Sequence, residues 1–197
     1  MKNIILGLAI ATATLVACSS NSGKSTENQK RSEATLAKTA TDNATISVPD
    51  AKNAVSIKEI VNNYLQLKNA FTQDNTAGAA TAGKALEATF KNFNKSTLTA
   101  AQKKTFEDVE DDAREHAEHI GKNGGNIAHQ REHFELLSKD MYDLVKAFGS
   151  GQVLYKDFDS MYNNGKGAFW LSETKDIKNP YMGKAMLTSG SIKEEIK

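Results

Sequence analysis

Ala113-Arg114-Glu115-His116-Ala117-Glu118-His119-Ile120-Gly121-Lys122-Asn123-Gly124-Gly125-Asn126-Ile127-Ala128-His129-Gln130-Arg131-Glu132-His133-Phe134 is the stretch that decides the fold. Two runs with helical spacing are broken once, by a loop whose glycines and asparagines end one helix and cap the next. A loop this short turns the second helix back beside the first, so the stretch predicts an antiparallel hairpin. It also holds all four histidines of the chain, as His116-x-x-His119 and His129-x-x-x-His133. Spacings of three and four put two side chains on one helix face. At about 100° per residue, His116 borders the apolar face of its helix and His119 sits further out, while His129 and His133 share an arc with Leu136, Leu137 and Leu144. The pairs come together near the turn for some rotations of the two helices and not for others, and spacing alone leaves that open.

Outward from the hairpin the pattern stays helical. Ser56-Ile57-Lys58-Glu59 fits a capping box opening a helix with Ile57, Ile60, Val61, Tyr64, Leu65, Lys68 and Phe71 in its stripe. A second helix starts near Thr76 and carries Ala79, Ala82, Leu86 and Phe90, with Gly83 suited to close approach of a neighbour. Thr99-Ala100-Ala101-Gln102 is a further capping box, opening the helix with Phe106, Val109, Ala113, Ala117 and Ile120. The last helix carries Ile127, Phe134, Leu137, Met141, Leu144, Val145 and Phe148 and stops at Gly149-Ser150-Gly151. The expectation is an all-α four-helix bundle. Beyond Gly151, Tyr155, Phe158, Met161, Tyr162, Phe169 and Trp170 alternate with turn residues such as Asn163-Asn164-Gly165. That mixture predicts an irregular aromatic-rich segment packed on the bundle, with room for short strands or a last helical turn.

At the other end, Lys2 is followed by an apolar run, Ile4 to Ala13, too short to span a bilayer. It closes on Leu15-Val16-Ala17-Cys18, which resembles a bacterial lipobox and makes Cys18, the single cysteine, the expected lipid acceptor. The resulting organisation is a signal peptide over 1–17, lipidated Cys18 with a flexible Ser/Thr/Asn/Lys-rich tether over 18–52, and one helical domain over 53–197. The mature protein is expected to be anchored to the membrane by acyl chains, facing the periplasm, with the outer membrane favoured because no acidic cluster follows Cys18.

With 25 basic and 24 acidic residues the net charge is +1, and no basic stripe or base-stacking motif suggests nucleic acid. No nucleophile–base pair appears, His129 is followed by Gln130 rather than the Glu of a zincin motif, and Gly121–Asn126 is no phosphate loop. An enzyme is not expected. Four imidazoles without a folded-domain thiolate suit Cu²⁺, Zn²⁺ or Ni²⁺, with Asp112, Glu115, Glu118 and Glu132 available to complete or orient the shell. The bland reading makes the same histidines boundary residues paired with Glu115, Glu118 or Glu132. Met161, Met182 and Met186 with Trp170 form a second, softer constellation that suits Cu⁺, although such residues more often simply pack.

Ile127-Ala128-His129-Gln130-Arg131-Glu132-His133-Phe134-Glu135-Leu136-Leu137-Ser138 resembles domain-of-unknown-function family 3347. So do Gly165-Lys166-Gly167-Ala168-Phe169-Trp170-Leu171-Ser172, Ile177-Lys178-Asn179-Pro180-Tyr181-Met182-Gly183 and Met186-Leu187-Thr188-Ser189-Gly190. The resemblance spans roughly residues 55–195. It implies a helical periplasmic domain found as a lipoprotein or joined to adaptors of copper and silver efflux pumps, and hence metal handling, most of all of copper. Where family members carry two cysteines, this chain has Asp159 and Ser189. The function expected is therefore a lipid-anchored periplasmic metal-binding protein, buffering copper or delivering it to a heavy-metal efflux adaptor. The rival expectation is a non-metal envelope interaction module with incidental histidines.

Overall fold

In a computed structural model the described residues are 56–197. The signal peptide, Cys18 and tether expected over 1–52 lie outside them. Four helices come first: α1 Lys58–Thr72, α2 Thr76–Lys91, α3 Ala100–Lys122 and α4 Ile127–Phe148. Each packs against the next in chain order, and α4 also touches α1. The apolar stripes meet in one core in which Tyr64, Leu67, Phe71, Leu86, Phe90, Phe106, Phe134 and Leu137 are fully buried. The Phe134 ring stacks on Tyr64 at 5.3 Å and meets Phe71 at 5.1 Å, which ties α4 to α1.

The caps explain where the helices start. Asn75 Oδ1 accepts the Gly78 N–H at 2.8 Å, and Asn126 Oδ1 accepts the His129 N–H at 3.2 Å. Thr99 and Gln102 form both arms of the capping box. The box expected at Ser56 does not form. Ser56 Oγ accepts the Lys58 N–H at 3.1 Å, while Ile57, 2 % exposed, turns into the core and takes the cap position without a side-chain bond. Hydrophobic burial of Ile57 outweighs a cap whose usual value is about 1 kcal/mol. Gly83 is where α2 and α3 come close: a Cβ there would lie 2.9 Å from the Ala117 carbonyl oxygen.

The tail corrects the all-α expectation. It is a small antiparallel sheet of β1 Leu154–Asp159, β2 Ala168–Ser172 and β3 Ser191–Ile196, in the order β2-β1-β3. Tyr155 faces Ser172 and Asp159 faces Ala168 across one ladder; Leu154 faces Ile196 and Phe158 faces Ser191 across the other, with an irregularity between Lys156 and Asp157. The β1–β2 connection reverses through Asn163, Asn164 and Gly165, at φ of 53°, 56° and 80°. Asn and Gly tolerate this left-handed conformation, so the turn residues that suggested irregularity in fact build a strand connection. The sheet rests on the bundle through β2, where the Leu171 N–H donates to Tyr64 Oη at 3.1 Å, and Tyr64 Oη is 2.8 Å from Ser138 Oγ of α4. Trp170 and Tyr181 are buried behind it. Among the described residues, no helix is long and apolar enough to cross a membrane.

Candidate metal centre

The hairpin turn is held by groups that face carbonyl oxygens. The Asn123 backbone N–H and side-chain Nδ2 both donate to the His119 carbonyl, at 3.1 and 2.8 Å. Gln130, fully buried, donates from Nε2 to Ile120 O at 2.9 Å and Thr76 O at 3.1 Å, so one α4 side chain satisfies carbonyls on α3 and at the start of α2. Arg131, the next residue, donates to Pro180 O at 2.7 Å, Phe71 O at 3.0 Å and Asp74 Oδ1 at 2.7 Å, locking the tail loop onto the same stretch of α4. Neither role was read from the sequence, where Gln130 counted only as the residue that spoils a zincin motif. Flanked by these two contacts, α4 holds its rotation, and that settles what spacing left open.

All four histidines meet. His133 is the centre: its ring lies parallel to that of His119 at 4.3 Å, edge-on to that of His129 at 4.6 Å, and 5.4 Å from that of His116. Side chains on a helix lean toward its N-terminus. Those of α3 therefore lean away from the turn and those of α4 toward it, which brings His133 level with residues closer to the turn than its position implies. One nitrogen from each of His119, His129 and His133 lies within 4.8 Å of the other two. Three nitrogens at 2.0–2.1 Å from one tetrahedral ion are about 3.3 Å apart, so closing the set takes roughly an ångström of side-chain rotation. The residues present fit an imidazole-bound transition ion. His116 stands outside this trio, with its Nδ1 3.2 Å from Nδ1 of His133.

Electrostatics favour the neutral rings that a metal requires. Burial, reinforced by the neighbouring imidazoles His119, His129 and His116, pushes the His133 pKa down to about 4. Burial also lowers that of His116. Glu132 Oε2 is 3.3 Å from His129 Nδ1, and Glu115 Oε1 is 3.8 Å from His119 Nε2. Carboxylates in such positions orient a ligating ring. The side chains of His119 and His129 are 43 % and 35 % exposed, so the trio is open to solvent.

The softer constellation lies in the tail. Trp170 is a core residue, while Met161 and Met186 are each 46 % exposed and Met182 half-buried beside the short 3₁₀ turn Gly183–Ala185. Met161 lines a cleft of about 240 Å³ together with Asp159 and Ser189. These two stand where the family resemblance expects cysteines, and they are neighbours, with Ser189 Oγ 3.2 Å from Asp159 Oδ2. Asp159 is 1 % exposed and accepts three bonds: from Ser189, from Asn179 Nδ2, and from the Met161 N–H at 2.7 Å.

Residues 60–153 match the model of a family described as a protein of unknown function, DUF3347. This part of the chain belongs to that family. The match takes in nearly all of α1, the whole of α2, α3 and α4, and so every histidine of the cluster. No curated protein and no solved structure matches the chain.

Proposed function

We propose that this DUF3347 protein binds one transition-metal ion, Cu²⁺ or Zn²⁺, through His119, His129 and His133, and serves to buffer that ion or pass it on. The observation that carries the reading is the convergence of three half-exposed imidazoles at a turn held from both sides. Zinc and copper both accept three imidazole ligands with a further position left for water or an incoming donor. Such a site, reached directly from solvent, suits exchange of the ion more than permanent storage. The lipobox-like Leu15-Val16-Ala17-Cys18 adds that the domain works tethered to the periplasmic face of the outer membrane, where copper supplied to a heavy-metal efflux adaptor is the task the family resemblance suggests.

Calorimetric titration of the protein with Cu²⁺ and with Zn²⁺ tests this. The expected result is one equivalent bound, with affinity reduced at least ~100-fold in His129→Ala/His133→Ala, since two of three ligands are lost. Metal should also raise the thermal midpoint of the wild type and not of the double variant, because a ligand bound only by the native state stabilises it. Equal binding by the two proteins would overturn the assignment.

A further inference from the structure

Resting on that metal-binding reading, we propose that His116 is a positioning residue and not a ligand. It holds His133 by Nδ1, so that Nε2 is the atom His133 presents to the ion.

Two observations carry this. The Nδ1 atoms of His116 and His133 are 3.2 Å apart, a hydrogen-bond distance at which only one of the two nitrogens carries the proton. And His116 contributes no nitrogen to the group formed by His119, His129 and His133. The chemistry then fixes both tautomers. A neutral imidazole binds a metal only through its unprotonated nitrogen. If Nε2 of His133 holds the ion, the ring proton is on Nδ1 and is donated to His116 Nδ1, which leaves His116 protonated at Nε2. The opposite direction, with His116 donating, would put the proton of neutral His133 on Nε2 and close that atom to the ion. An acceptor behind a ligating imidazole is the usual way to set ring orientation and raise ligand basicity; here the acceptor is a second imidazole on the facing helix.

The test is long-range ¹H–¹⁵N correlation spectroscopy of the Zn²⁺-loaded protein. Expected are a metal-bound Nε2 and protonated Nδ1 for His133, and a protonated Nε2 with an unmetallated Nδ1 for His116. A Zn²⁺-bound nitrogen on His116, or Zn²⁺ on Nδ1 of His133, overturns the proposal. A second arm uses variants. His116→Leu, which removes the acceptor, should weaken Zn²⁺ binding about 10–100-fold. His116→Gln, whose amide oxygen can accept the same proton, should recover most of that loss. In both, the nitrogen couplings of bound Cu²⁺ should still count three histidines; a drop to fewer, or no loss of affinity in His116→Leu, overturns the role. Failure of the wild type to bind either ion removes the metal-binding reading itself, a result distinct from binding with His116 in the shell.

Discussion

Two polar clusters sit at separate places in the fold, and they differ in what their side chains have left to offer. At the α3–α4 turn the imidazoles pack on one another, stand half-exposed, and bring one nitrogen each from His119, His129 and His133 within 4.8 Å. Around Asp159 the carboxylate is buried, and its oxygens are occupied by Met161 N–H, Asn179 and Ser189. The first arrangement has spare lone pairs at an accessible surface; the second uses its lone pairs to fasten the loop before β3 onto β1. A cluster can look equally rich in donor atoms by composition, yet only one with unused lone pairs can take up an ion without dismantling the fold.

That contrast breaks most visibly at Asp159. Asp159→Ala leaves two side chains and one backbone N–H without their acceptor, and should lower unfolding stability by about 2–4 kcal/mol in urea titrations. Metal affinity of the folded variant should be unchanged. A loss of Cu²⁺ binding without loss of stability would assign the ion to the tail.

A smaller effect separates acid–base behaviour of the interior from that of the turn. Asp157 is fully buried, and neither of its carboxylate oxygens has a hydrogen-bond partner. Burial raises its pKa to about 7, partly offset by Lys68 and reinforced by Glu173. A carboxyl whose folded pKa lies above its unfolded value, about 3.9, destabilises the fold when ionised. The penalty is present above pH 7 and disappears as pH falls toward 4. Asp157→Asn should thus exceed the wild type in stability by about 1–3 kcal/mol at pH 8, with the difference vanishing near pH 4. His133 acts with the opposite sign, since its depressed pKa removes stability as pH falls from its ordinary value of 6.5 toward 4. Urea titrations of wild type and Asp157→Asn from pH 4 to 8 separate the two; a constant difference would show that Asp157 does not titrate in this window.

The smallest expected effect concerns the exposed methionines. Met161→Leu and Met186→Leu should each change stability by less than about 0.5 kcal/mol and leave Cu²⁺ affinity as it was. A fall in Cu⁺ affinity, measured by competition with a Cu⁺ chelator under reductant, would restore the tail as a soft-metal site and dissolve the contrast drawn above.

The hairpin and its histidines were legible because every signal there is local: spacing of three or four, a glycine-rich stop, and an Asn cap three residues before the amide it accepts. Thr99 and Gln102 were legible for the same reason. The sheet was not. β3 carries only Ile192 and Ile196 as apolar residues and is mostly exposed, and β1 turns Asp157 and Asp159 inward, so neither strand shows the alternation that marks a half-buried strand. Gln130 and Arg131 escaped notice because their partners are carbonyl oxygens 10 to 60 positions away, which no residue pattern announces. The rotation of α4, and hence the convergence of the imidazoles, depends on those distant contacts.

The Tyr64 hydroxyl joins α1, α4 and β2 through one atom, while the matched family segment ends at residue 153, just before β1 begins. A chain cut at that boundary would keep four helices yet uncover Tyr64, Phe134 and the surface now shielded by Trp170 and Tyr181. The family match and the buried core therefore differ in extent here: the match covers the helices, and Leu154, Trp170, Leu171, Tyr181 and Ile196 beyond it complete the core.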